Sequence, residues 1–254
     1  MNRLLHIEKL RKKLKENEIS VGSWMQIPDP SVAEIIGDAG YDWVAVDLEH
    51  GTIGHNQLPA IFRALELGST LPMVRLADGS PKDCKQALDA GAAGVIIPMV
   101  ANANQLRAII NSCRWPPAGS RGVGFSRANL FGKNFKIYQK EAQNPFIVAM
   151  IENVSAIDDL VNILSVDGLD AILIGPYDLS ASMNLTGNFH SKKFTSAMNK
   201  IRDMCNAQSM PCGVHVVKPE PLELEKVIKQ GCRFIAYSID SVFLNESTRN
   251  PIRE

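Results

Sequence analysis

The sequence predicts an α/β protein, a (β/α)8 TIM barrel with one extra N-terminal helix, and three observations carry that expectation. Eight short apolar runs, rich in Val and Ile, recur along the 254 residues, and runs of this kind read as strands buried on both faces. Each is followed by a segment with helical spacing or a helix-start signal, and strands that alternate with helices pair in parallel. Eight such units in about 250 residues is the size of a closed eight-stranded barrel. An open doubly wound sheet would normally place a Gly-rich phosphate turn after its first strand, and Gln26-Ile27-Pro28-Asp29 is not one. No linker divides the chain, so residues 1–254 are expected to form a single domain.

The elements follow in order. Leu4, Leu5, Ile7, Leu10 and Leu14 lie at helical spacing among Arg, Lys and Glu over residues 3–16, an amphipathic helix suited to packing on protein. Ile19–Met25 reads as a strand; Asp29 between two prolines starts a helix over Ser31–Ala39 that stops at Gly40. Asp42-Trp43-Val44-Ala45-Val46-Asp47-Leu48-Glu49-His50-Gly51 begins as a buried strand and breaks into acids and an imidazole. Helix Leu58–Leu67, strand Pro72–Leu76, helix Lys82–Ala90, strand Gly94–Pro98 and helix Ala103–Cys113 come next. A loop rich in Gly, Pro and Arg runs from Trp115 to Gly124 and on irregularly to about Gln143; it is expected as an insertion over the active face. Strand Phe146–Glu152, helix Ala156–Leu164, strand Asp170–Gly175, a turn at Pro176–Ser180 and helix Phe194–Gln208 lead to strand Pro211–Val217. Helix Leu222–Lys229, strand Arg233–Ile239 and a short tail after Asp240 complete the chain.

Composition excludes several functions. Lys+Arg and Asp+Glu number 27 each, so no basic field draws nucleic acid or an anionic membrane. The five cysteines are scattered without a CxxC pair, which points to reduced thiols in a cytoplasmic protein. No apolar run approaches the roughly 20 residues of a membrane helix, and the charged stretch Met1–Glu18 is no secretory signal.

Barrel enzymes work at the rim where strands end. The strand ends of this chain deliver Trp24, then Asp47, Glu49 and His50, then Arg75, Pro98, Glu152, Asp178, His215 and Ser238. Glu152 and Asp178 follow adjacent strands, and two carboxylates that close repel unless a proton or cation lies between them; helix capping or salt bridging would also account for them. Arg75 suits a carboxylate or a developing enolate, or a structural ion pair. His50 fits a general base, a metal ligand or a hydrogen-bonded loop residue. Gly175-Pro176-Tyr177-Asp178 places the backbone N–H groups of Tyr177 and Asp178 at a tight turn before a helix, an anion cradle.

Seven motifs stand in one order: Asp42-Trp43 with Asp47-x-Glu49-His50, Val74-Arg75, Leu88-Asp89-x-Gly91, Pro98-Met99, Pro116-Pro117-Ala118-Gly119-x-Arg121-Gly122-Val123-Gly124, Ile151-Glu152, and Gly175-Pro176-x-Asp178-Leu179-Ser180. Together they resemble the HpcH/HpaI aldolase family, the metal-dependent pyruvate aldolases, from about Gly22 to Leu244. The resemblance implies a divalent metal (Mg, Mn or Co) held by Glu152 and Asp178. It also implies cleavage of a 4-hydroxy-2-oxo acid or 2-keto-3-deoxy sugar acid into pyruvate and an aldehyde, through a metal-stabilised enolate. Arg75 matches the arginine that steadies the enolate oxygen, and His50 the catalytic histidine. Asp89 matches the aspartate that pairs with that histidine from a neighbouring subunit. Asp47 matches a supporting acid, and Trp24 a residue lining the pocket. A homo-oligomer is implied, a hexamer built from dimers.

Two departures bear on specificity. Met150 stands where the family often has Gln, and His215 where the enzyme for the dicarboxylic substrate has an apolar residue. His215, with Tyr237 and Ser238, predicts a polar, hydroxylated aldehyde partner; internal packing of His215 is the alternative. Lys218 follows a strand end, but no Schiff-base lysine is required. A CoA-thioester lyase of the citrate-lyase β-like branch would need a basic patch for CoA, and none is visible. A non-catalytic sugar-acid-binding barrel would not need Glu152, Asp178, Arg75 and His50 together.

Overall fold

In a computed structural model, which describes residues 1–248, 250 and 252, eight parallel strands close into a barrel in chain order. The strands are β1 (Ser20–Met25), β2 (Trp43–Asp47), β3 (Leu71–Arg75), β4 (Gly94–Ile97), β5 (Phe146–Ile151), β6 (Ala171–Ile174), β7 (Cys212–Val216) and β8 (Phe234–Ile239). Because side chains alternate along a strand, each contributes one set to the lumen and one to the surrounding helices. The lumen is packed with Trp24, Trp43, Ala45, Leu71, Met73, Ile96, Phe146, Val148, Met150, Leu173, Phe234 and Ala236. Trp43 stacks on Phe234 with centroids 4.3 Å apart.

The extra helix, α1 (Arg3–Lys15), closes the end at which the strands begin. Its apolar stripe of Ile7, Leu10 and Leu14 joins the lumen cluster. Arg11 bonds both oxygens of Asp170 just before β6, and Lys13 both oxygens of Asp42 just before β2. Candidate chemistry is therefore confined to the opposite rim.

Outside the barrel lie α2 (Pro30–Asp38), α3 (Leu58–Leu67), α4 (Pro81–Ala90), α5 (Ala103–Cys113), α6 (Phe135–Gln143), α7 (Val154–Asp158), α8 (Leu160–Leu164), α9 (Pro176–Ser182), α10 (Lys192–Ala207), α11 (Pro221–Lys229) and α12 (Asp240–Ser247). α2 begins at Asp29 as its sequence predicts, and Asp29, Ser80, Asn102 and Ser191 each accept a hydrogen bond from a first-turn N–H. Gly91 ends α4 at φ 106°, a left-handed conformation that favours glycine.

Three segments differ from expectation. The turn after β6 is a helix, α9, and the tail after Asp240 is α12. The stretch read as irregular to Gln143 contains a short 3-10 turn at Arg127–Asn129 and then α6. Nor does it cover the active face. Arg3 of α1 pairs with Glu141 at 2.7 Å, and Arg127 with Glu66 of α3 at 2.8 Å, which places it at the closed end. The reason is topological: a helix descends from the rim, so every helix-to-strand connection lies at the opposite end. Among the described residues, no helix is long and apolar enough to cross a membrane.

Candidate active site

Asp47 and Arg75 are register partners at the ends of β2 and β3. Side by side and both inward-facing, they form a fork: Arg75 Nε donates to Asp47 Oδ1 at 2.9 Å and Nη2 to Oδ2 at 2.7 Å. Gln26 Nε2 and the backbone N–H groups of Glu49 and His50 donate the remaining bonds that Asp47 accepts. Burial alone would raise the Asp47 pKa, but the Arg75 bonds and charge outweigh it and hold the carboxyl at about 2. With 0% of its surface exposed, Asp47 is no proton carrier. It orients Arg75 and shapes the turn that presents Glu49 and His50.

Arg75 lies over Trp24, its Cζ 5.2 Å from the ring centroid. Trp24 also stacks against His215 at 4.9 Å. His215 Nε2 is 3.0 Å from the Ser238 carbonyl, which can only accept, so the proton sits on Nε2 and Nδ1 carries a bare lone pair. Burial, together with the nearby Arg75 charge, lowers the His215 pKa to about 4. The ring is neutral at physiological pH. Trp24 and His215 thus form an uncharged floor beneath the guanidinium.

Glu152, one residue beyond β5, is 2% exposed. Its Oε2 accepts from the backbone N–H of Met99 at 2.9 Å, and Met99 holds the left-handed φ of 49°. Gly175 follows the neighbouring strand β6 by one residue, and a Cβ there would fall 2.5 Å from Glu152 Oε1; glycine leaves room for the carboxylate. Burial first, and the Glu49 and Asp178 carboxylates second, raise the Glu152 pKa to about 7 despite the Met99 bond. Asp178 lies in the first turn of α9, exposed beside the exposed Tyr177.

Glu49, which the sequence brought to the rim without a role, belongs to this set. Its Oε2 lies 2.9 Å from Arg75 Nη1 yet makes no hydrogen bond, and the atom is buried. Burial raises its pKa, with Asp47 and Asp178 acting in the same direction. Gln26 and the Met99 N–H are further members that sequence reasoning missed. A glutamine after a strand carries no distinctive signal, and a backbone donor carries none.

The structure brings Trp24, Asp47, Arg75 and His215 into direct contact, and Glu152 against Gly175. His50 follows β2 on the same rim and is exposed. Asp89 is not with them in this chain. It sits in the last turn of α4, at the closed end, 3.8 Å from Arg121 Nη1, with a buried Oδ1 that has no hydrogen-bond partner. Lys218 is exposed beyond β7. Among the described residues, no group of three or more His, Cys, Asp or Glu side chains is arranged as a metal site.

Comparison with known proteins finds relatives over most of the chain. A profile of the HpcH/HpaI aldolase/citrate lyase family matches residues 20–246. The 4-hydroxy-2-oxovalerate aldolase of Novosphingobium aromaticivorans is 34% identical over 240 residues, covering 92% of this chain and 89% of its own. The 2-keto-3-deoxy-L-rhamnonate aldolase of Salmonella gallinarum is 31% identical over 249 residues, covering 97% and 92%. Among solved structures, an HpcH/HpaI aldolase/citrate lyase family protein from Burkholderia cenocepacia superposes with a TM-score of 0.89 at 27% identity, covering 95% of this chain and 96% of that one.

Proposed function

The chain belongs to the HpcH/HpaI aldolase/citrate lyase family, and from that premise we propose that it is a divalent-metal-dependent aldolase. It cleaves a 4-hydroxy-2-oxo acid, or a 2-keto-3-deoxy sugar acid, reversibly into pyruvate and an aldehyde. The observation that carries this reading is the charge balance at the rim. Asp47, Glu49 and Glu152 act on Arg75 and Asp178 on Glu49 and Glu152, Glu49 Oε2 is buried without a hydrogen bond, and Glu152 is pushed up to about 7. An all-oxygen, net-negative donor set fits a hard divalent cation such as Mg, Mn or Co. Glu152 and Asp178 would hold it, with Glu49 behind. A bound cation would polarise the keto oxygen of the substrate as a Lewis acid.

The residues of the chain do the rest. Arg75, fixed by Asp47, presents a guanidinium to the oxygen on which negative charge grows. His50 takes the 4-hydroxyl proton as the bond between carbons 3 and 4 breaks; its electron pair passes into the enolate, and carbon 3 then takes a proton to give pyruvate. In an assembled homo-oligomer, Asp89 of a neighbouring copy orients His50; we read the unpartnered Asp89 Oδ1 in that sense. Gly175 and Tyr177 give backbone and ring contacts to the keto acid. The 1–254 barrel acts as one domain in a cytoplasmic hexamer, without nucleic-acid or membrane partners.

The test is pyruvate release from a panel of 4-hydroxy-2-oxo acids, coupled to lactate dehydrogenase. EDTA should lower the rate by at least about 100-fold, and added Mg or Mn should restore it. Resistance to EDTA together with borohydride trapping would overturn the reading in favour of a Schiff-base enzyme.

The aldehyde partner is proposed to be hydroxylated. The bare Nδ1 of His215 can only accept, so it favours a ligand that donates an O–H. His215→Leu should therefore reduce the preference for hydroxylated over plain aliphatic aldehydes by about 5–10-fold in the condensation direction, the worth of one neutral hydrogen bond. An unchanged ratio of kcat/KM values would remove His215 from specificity.

A further inference from the structure

The loop after β2 carries Glu49 and His50, and the loop after β3 follows Arg75. One buried carboxylate joins the two. Asp83, 5% exposed in the first turn of α4, accepts through Oδ2 from the backbone N–H groups of Ala77, Asp78 and Gly79, at 2.8, 3.2 and 3.3 Å. These three residues form the loop that follows Arg75. Its Oδ1 lies 3.0 Å from Nε2 of His55, near the far end of the other loop. The carboxylate oxygen accepts, so His55 Nε2 donates.

The β2 loop is thereby held at both ends. At its root, Asp47 Oδ1 takes the N–H groups of Glu49 and His50. At its tip, His55 is tied to Asp83. Between them Ile53 is 5% exposed, anchoring the middle. Removing the His55 tie would leave residues 48–52 held by the Asp47 bonds and the Ile53 side chain alone, without the link to the β3 loop, and His50 itself is exposed with no side-chain bond of its own among the described contacts. A reacting group misplaced by about 1 Å costs up to 10²-fold in rate.

We propose that His55 and Asp83 are positioning residues for the reaction: their bond sets the spacing between the His50 imidazole and the Arg75 guanidinium. The inference rests on the aldolase reading above for its kinetic arm alone. His55→Leu should lower kcat for pyruvate release by about tenfold with KM for the keto acid changed less than twofold. It should also speed backbone hydrogen–deuterium exchange across residues 48–57 while the barrel strands stay protected. His55→Gln, which keeps a donor at the same reach, should recover most of kcat and of the protection.

Two results overturn the proposal. One is a wild-type kcat in His55→Leu despite faster exchange, which would make the bond a simple loop tie. The other is equal loss in His55→Leu and His55→Gln, which would make the imidazole itself a reacting group. Should wild-type enzyme release no pyruvate, the aldolase reading falls, and exchange alone decides: undisturbed protection of 48–57 in His55→Leu then sinks the tie as well.

Discussion

Arg75→Lys lowers pyruvate release by about 10²–10³-fold while the barrel stays folded, the loss expected when one preorganised donor to a developing oxyanion is removed. Lysine keeps the charge but not the fork. Arg75 spends Nε and Nη2 on the two oxygens of Asp47, which leaves the remainder of a rigid, planar group aimed from a fixed root. A single ammonium cannot satisfy both Asp47 oxygens and also reach the substrate. Arg75→Ala should cost stability as well, by about 3–5 kcal/mol, because Asp47 is fully buried and would lose its counter-charge. In a chain of this size that is a fall in Tm of roughly 10 °C or more. Changing the pair together, Asp47→Asn with Arg75→Met, should restore most of the stability and none of the activity. The pH dependence has a definite sign. The Asp47 pKa of about 2 lies below its ordinary 3.8. The stabilisation is therefore complete above about pH 4 and is lost as pH falls through 2. Calorimetry and steady-state kinetics on the three variants check this; activity within threefold of wild type in Arg75→Lys would remove Arg75 from charge stabilisation.

The fork also shows where the sequence is legible and where it stops. Each partner could be placed at a strand end from the apolar runs before it. That they face one another follows only from the β2–β3 register, Asp47 opposite Arg75, which a single chain does not print. The same holds for Gly175. As a Gly-Pro step it reads as a turn and an anion cradle; its missing Cβ turns out to make room for Glu152, a fact about a neighbouring strand. Of the three helices that escaped, α6 and α12 did so for different reasons. In α6, Phe135, Tyr138 and Ala142 stand at helical spacing, but the Gly- and Pro-rich lead-in hid them. In α12, Asp240–Ser247 has no apolar stripe to find. The misplacement of 115–143 was of another kind. The residues were read correctly as a long excursion, but a helix-to-strand connection was assigned to the rim, where only strand-to-helix connections lie. His50 with Asp89 marks the limit of one chain: both stood out by motif, and in this fold they lie at opposite ends of the barrel.

Glu152→Gln should abolish activity and at the same time stabilise the ion-free protein at neutral pH. Buried at 2% exposure and facing two other carboxylates, Glu152 is pushed from its ordinary 4.5 to about 7. The folded chain then binds that proton more tightly than the unfolded chain does. Stability is fully present below about pH 4.5 and declines as pH rises through 7. The shift corresponds to about 3 kcal/mol at pH 8, or roughly 6–12 °C in Tm. Glutamine is neutral, keeps an oxygen to accept from the Met99 N–H, and removes the repulsion toward Glu49 and Asp178. In EDTA, the wild-type Tm should fall between pH 5 and 8 by more than that of the variant, and the variant should be the more stable at pH 8. Manganese should reverse the order. At 100 times its Kd a cation adds about 2.7 kcal/mol to a protein that binds it, and on the proposed reading only the wild type has the full donor set. Calorimetric scans of both proteins at pH 5 and pH 8, with EDTA and with manganese, decide the matter. A variant destabilised at pH 8 in EDTA would mean that the carboxylate is held by contacts stronger than its repulsions. A variant that gains as much from manganese as the wild type would mean that the cation is held elsewhere. Either outcome would separate Glu152 from the role on which the proposed chemistry depends.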